Sequence, residues 1–170
     1  MIFRLTEKLA KKIKVAPLQP IPADPNPYAD WTAHLFTTAR TQYILVSNTE
    51  SLYSVVMPGK GVTSDSAFLH AVANAIGEFL PADGNEFIFK RFIAPEMGKA
   101  AFAKTLNRSV TGSMNDLIFQ AKIDLLHFSL SLSDVSSRLN EVPMSFLEYK
   151  HPRNVFMTMM MHGKRLEAFH

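Results

Sequence analysis

The chain has 170 residues, 47% of them hydrophobic and 19% charged, with a formal net charge of +3 and no cysteine. This length suits one domain, 1–170, with a buried core, and the composition is globular, not disordered. Disulfides, thiolate metal sites and a cysteine nucleophile are excluded, and no apolar run approaches the ~20 residues of a membrane span.

Arg4, Glu7 and Lys8 interrupt any signal-peptide core at the start, so a cytoplasmic protein is expected. Met1 to Leu5 reads as a short strand. Thr6 is placed to cap a helix from Glu7 to about Lys14, with Leu5, Leu9 and Ile13 facing inward. Five of the 18 basic residues fall in the first 14 positions against a single acid, Glu7. The rest of the chain is close to neutral, so the positive charge belongs to one solvated helix face and not to a broad nucleic-acid footprint. A Pro-rich stretch at about 15–28 follows, with Pro17, Pro20, Pro22, Pro25 and Pro27. Proline lacks the N–H a central strand needs, so this stretch should be an extended strap on the surface.

Asp30 to Pro58 predicts a β-meander. Thr32–Thr38, Tyr43–Ser47 and Leu52–Met57 are rich in aromatic and β-branched residues, with turns at Ala39-Arg40-Thr41 and Asn48-Thr49-Glu50. Links this short require antiparallel neighbours. Ser64 or Thr63 caps the next helix, whose core face is Phe68, Leu69, Val72, Ile76 and Phe79, and which stops near Pro81. Glu86 to Ile93 fits a helix better than a strand. Ser133 to Glu141 predicts a short helix halted by Pro143, and a last helix is expected from Arg153 to about Met161.

Between these lies a strand from Ala100 to Thr105, a polar loop from Asn107 to Ser113, and the most periodic helix of the chain. Met114, Leu117, Ile118, Ala121 and Leu125 share one face at helical spacing. Phe119, Ile123 and Leu126 form a second apolar patch, which predicts a central helix with neighbours on two sides. Ser113 is the expected N-cap, with Asp116 in the first turn.

Few residues point to chemistry. The six histidines include no pair at i+3 or i+4, and nucleophile-elbow and P-loop patterns are absent, so neither a metal clamp nor a cofactor is expected. The candidate site is the loop with its helix start: Asn107, Arg108, Ser109, Gly112, Ser113, Asn115 and Asp116. A guanidinium, hydroxyls and unpaired backbone N–H groups at a helix start make an anion cradle, with Gly112 admitting close approach. The alternative is structural: Asn107 and Gly112 shape a turn while Arg108 pairs with a carboxylate such as Asp30. Asp30, Trp31 and His34 form a second candidate group, although a lone tryptophan is more often a core anchor. Met157, Met159, Met160 and Met161 cannot all face one core, which points to a partner surface.

The stretches FRLTEKLAKKIKV, ADWTAHLF, LYSVVMPGKG, NRSVTGSMNDLIF and RLNEVPMSFLEY resemble an uncharacterised bacterial family, a domain of unknown function. The resemblance spans nearly the whole chain. It implies a single domain of bacterial or phage origin and no particular activity. The family's polar stretches match Asp30, Trp31, Asn107, Arg108, Ser109, Gly112, Ser113, Asn115 and Asp116.

The expected fold is α+β: an antiparallel sheet of the meander, the N-terminal strand and the 100–105 strand, covered by helices on one face. The leading expectation for function is a binding module for a phosphate-bearing ligand or nucleic acid at 107–115. The alternatives are a protein-interaction role through the strap or the Met-rich C-terminus, and a hydrolase with Asp30, His34, Arg108 and Asp116 in one cleft.

Overall fold

The structure, a computed structural model, describes residues 1–159. The meander forms as predicted: β2 (Asp30–Thr38), β3 (Thr41–Asn48) and β4 (Ser54–Pro58) pair antiparallel. Ala39 and Arg40 both take positive φ, 49° and 62°, the turn twist that a tight hairpin requires.

β1 (Ile2–Leu5) lies between β2 and β5 (Ala101–Lys104) and runs parallel to both, giving the order β4-β3-β2-β1-β5. The sheet is therefore mixed, where the sequence pattern suggested antiparallel throughout. Short hairpin links force antiparallel pairing only inside the meander. The long connections before β2 and before β5 carry the chain back to its starting end, and a crossover of that length makes parallel neighbours.

Helices cover both faces of the sheet, not one. Phe3, Leu5, Trp31, Ala33, Leu35, Ile44 and Val46 pack with Leu9 and Ile13 near α1 (Glu7–Lys12) and with Phe68, Val72 and Ile76 of α2 (Asp65–Ala82). On the other face Phe36, Leu45 and Val56 meet α4 (Arg108–His127) and α5 (Leu132–Leu139). Ile44, Leu45 and Val46 are consecutive and fully buried, so β3 is apolar on both sides and needs cover on both. The 86–93 segment is helical as expected: α3 (Glu86–Ile88) runs directly into a π-helical turn, Phe89–Ile93.

α4 starts earlier than predicted. Asn107 is its N-cap, its side chain accepting the Val110 N–H at 3.0 Å, so 107–113 is not a loop. Ser113 is no cap; its hydroxyl donates to the Ser109 carbonyl at 2.8 Å inside the helix. An Asx cap is strong, Val110 is drawn into the core, and one interior glycine costs a helix only ~1 kcal/mol. Met114, Leu117, Ile118 and Ala121 are buried as the spacing demands. The second apolar patch is largely uncovered among the described residues: Phe119 is 68% and Leu126 51% exposed, with Ile123 half-buried.

α5 closes one edge of the sheet. The Asn140 side chain accepts the Ser54 N–H at 2.7 Å and donates to the Ser54 carbonyl at 3.0 Å, imitating the peptide of another strand. Ser136 Oγ accepts the Val56 N–H at 2.9 Å. The last described helix, α6 (152–159), places Phe156 among Tyr28, Trp31 and Tyr53. Of the four clustered methionines Met159 is buried and Met157 half exposed, while Met160 and Met161 lie outside the described residues.

Candidate functional site

The third residue of the four-residue strand β1, a charged one among apolar neighbours, decides how this region is built. In Ile2-Phe3-Arg4-Leu5, side chains alternate between faces, which sends Arg4 away from the α1–α2 core and under the strap. Its side chain is 1% exposed, a burial that a guanidinium tolerates only when all its donors are met. They are. Nε and Nη2 donate to the two Asp30 carboxylate oxygens, each at 2.8 Å. Nη2 also reaches the Pro22 carbonyl at 3.1 Å, and Nη1 reaches the carbonyls of Ile21 at 2.8 Å and Lys104 at 3.4 Å. Asp30 is filled as completely, accepting the Asp24 N–H at 3.0 Å and the Thr49 hydroxyl at 2.8 Å. Thr49 Oγ1 in turn lies 2.8 Å from Thr32 Oγ1.

Asp30 is therefore the partner of Arg4 and not of Arg108. With four hydrogen bonds on its two oxygens its acceptor capacity is already taken up within the protein. Trp31 points to the opposite face, is fully buried, and donates its indole N–H to the Tyr28 carbonyl at 2.8 Å; it is a core anchor. His34 is half-buried on β2 with Nδ1 2.9 Å from the Leu35 carbonyl. Four residues along a strand separate it from Asp30 by about 13 Å. Arg108, Ser109, Gly112, Asn115 and Asp116 are exposed on the first turns of α4, and Ser113 is half-buried there. Across the two predicted groups, the fold brings Asp30 and Asn107 to one cavity. It measures about 230 Å³ and is also lined by Asp24, Thr49, Glu50 and Phe146. The Asp24 and Glu50 carboxylates there oppose an anion, while the Asp30 charge is balanced by Arg4.

A larger crevice, about 700 Å³, lies on the other side of the β5–α4 link. Leu5 ends β1 and Lys104 ends β5, so it sits at the carboxyl ends of two parallel neighbours. From there the chain departs to opposite faces, through α1 into the α2 side and through α4 into the α5 side. Ligands of open α/β sheets bind at such a switch point, because diverging connections leave a cleft between them. Glu7, Ala10 and Lys11 form one wall, the strap residues Ala16 to Gln19 a second, and Lys104 with Thr105 a third. The Lys104 N–H donates to the Gln19 carbonyl at 3.0 Å and ties the last two walls together.

The charges here are exposed. Lys11 Nζ stands 3.0 Å from a Glu7 carboxylate oxygen. The Lys11 hydrogen bond, then its charge, and more weakly the Lys104 charge, hold the Glu7 carboxyl below the usual range. Thr6, between two lining residues, carries a buried hydroxyl oxygen without a hydrogen-bond partner among the described residues. An orphaned buried polar atom is uncommon and calls for a partner.

The same sequence is matched from residue 2 to 155 by the model of a family described as a domain of unknown function, DUF6933. The chain is a DUF6933 protein. No curated protein matches it. The DUF6933 match spans β1 through β5, α1 through α5 and the start of α6, so both the Arg4–Asp30 pair and the crevice lie within the matched residues. Sequence reasoning missed Arg4, Gln19 and Lys104. The signal for Arg4 was present: a charged residue inside an alternating apolar strand must find a buried partner or break the strand. Nothing local marks Gln19 or Lys104, which become neighbours only when strap and β5 meet. Among the described residues no group of three or more His, Asp or Glu is placed to hold a metal ion, and no described helix is long and apolar enough to cross a membrane.

Proposed function

We propose that this protein is a binding module for a small phosphate-bearing ligand, held in the crevice at the carboxyl ends of β1 and β5. The observation that carries the reading is the position of a 700 Å³ crevice at the sheet's switch point with Lys11 and Lys104 among its walls. The two ammonium groups supply charge, the Gln19 and Thr105 side chains supply hydrogen bonds, and Leu5 and Leu18 supply an apolar floor. Relative to the sequence expectation the ligand class is kept and its place moves from 107–115 to the far side of the β5–α4 link.

Isothermal titration with inorganic phosphate and then with a nucleoside monophosphate tests this. Lys104→Gln should weaken binding by about 1.5 kcal/mol, roughly tenfold, the size of one charge-assisted hydrogen bond. Each phosphate contact contributes about −0.9 to the slope of log affinity against log salt, so one or two contacts give a shallow dependence. A slope several times steeper with a mixed oligonucleotide would identify a polynucleotide as the ligand. Absence of heat with any phosphate, and no rise in melting temperature, overturns the reading.

A second reading rests on the outer face of α4. Phe119, Leu126 and Phe128 are 68%, 51% and 59% exposed and belong to one helix and its end. A stripe of this kind favours a protein-interaction role, at α4 and not at the strap, whose carbonyls are engaged by Arg4.

A further inference from the structure

The buried Arg4–Asp30 pair has no part in holding the proposed ligand, yet it absorbs every donor of one side chain and every acceptor of the other. What those bonds join is informative. Arg4 touches β2 through Asp30, the strap through the Ile21 and Pro22 carbonyls, and the end of β5 through the Lys104 carbonyl. Asp30 returns to the strap through the Asp24 N–H. The strap itself is poor in backbone partners, since its prolines donate nothing, and its residues from Ala16 to Gln19 are half-buried or exposed. It is nevertheless one complete wall of the crevice, tied to another wall by the Gln19–Lys104 bond.

We infer that Arg4 is a positioning residue for the crevice: clamped on Asp30, it orders the Pro-rich strap and thereby sets Gln19 and Lys104 at the spacing a ligand meets. The inference rests on the proposed ligand site and adds what controls its shape. A hydrophobic pair of similar volume would satisfy packing at Arg4 and Asp30 at least as well, because buried ion pairs seldom out-stabilise apolar replacements. What an apolar pair cannot do is hold three backbone carbonyls of strap and strand in fixed register. A ligand that closes the strap against β5 is also expected to slow the opening of these same bonds, so ligand and clamp act on one segment.

Amide hydrogen exchange on the full chain tests this, read at three amides: Lys104, which donates to Gln19; Asp24, which donates to Asp30; and Val46 in the centre of β3 as a core reference. In Arg4→Met, exchange at Lys104 and Asp24 should accelerate at least tenfold more than at Val46, which registers the global loss of stability, and phosphate affinity should fall about tenfold. Arg4→Lys, which keeps the charge and reaches fewer carbonyls, should recover part of both. In the unmodified protein, saturating inorganic phosphate should slow exchange at Lys104. Unchanged strap exchange in Arg4→Met overturns the inference, as does a loosened strap with undiminished phosphate affinity. Acceleration at Val46 equal to that at Lys104 also overturns it, since the pair would then support the whole fold and not the strap. If the unmodified protein binds no phosphate, the proposed function fails and the ligand half of the inference falls with it. The Arg4→Met exchange pattern still decides whether the clamp orders the strap.

Discussion

Arg4 and Asp30 show how differently two buried charges and an exposed one respond to deletion. Arg4→Ala strands a carboxylate that is almost wholly buried, and an unpaired buried charge costs about 3–5 kcal/mol, so urea denaturation should register a loss of that size. Arg108→Ala removes an exposed side chain and should shift stability by less than ~0.5 kcal/mol in the same experiment. Tyr53 supplies a pH signature. Burial first, and then the Asp83 carboxylate that accepts its hydroxyl at 2.5 Å, push its phenol well above the ordinary value. A raised native value means that the contribution is whole below the ordinary phenol pKa of about 10. It is lost as pH climbs from there toward the native value, because the unfolded chain ionises first. Tyr53 should stay protonated in the folded protein past pH 10, and ultraviolet titration should show it ionising only as circular dichroism reports unfolding.

α4 and α5 carry the predictions that concern helices. Asn107→Ala removes the α4 cap and should cost about 1 kcal/mol in thermal melting, whereas Ser113→Ala, inside the helix, should cost little. Asn140 covers the β4 edge through two backbone bonds, so Asn140→Leu leaves the Ser54 N–H and carbonyl unmet at about 1–3 kcal/mol each if water stays out. The same change opens a strand edge, and light scattering on warming should show earlier aggregation. The spacing of Met114, Leu117, Ile118 and Ala121 made the buried face of α4 legible. Its start was not, because Asn107 and Ser113 both look like caps and local preference does not rank them once Val110 has a place in the core. The meander and its turns were legible because period-two alternation and short links leave one pairing. The outer stripe of Phe119 and Leu126 misled, since an apolar face says only that something apolar suits it.

For the molecule as a whole, composition and periodicity determined that a meander, a capped helix over about 65–80, a proline strap and an apolar-faced helix exist, and the α+β class follows from them. Those features are local: each depends on neighbours within a turn or a hairpin, where side-chain spacing sets the outcome. Family membership was also legible along nearly the full length. Only the tertiary structure decided that β1 enters between β2 and β5 in parallel, that helices cover both faces, and that Arg4 and Asp30 meet across 26 positions. Strand order depends on which long connection crosses which face, and no residue pattern inside a strand records that. The crevice has the same origin. Lys11, Gln19 and Lys104 are ordinary polar residues in sequence, and they share walls only because two parallel strands end side by side and send their chains to opposite faces.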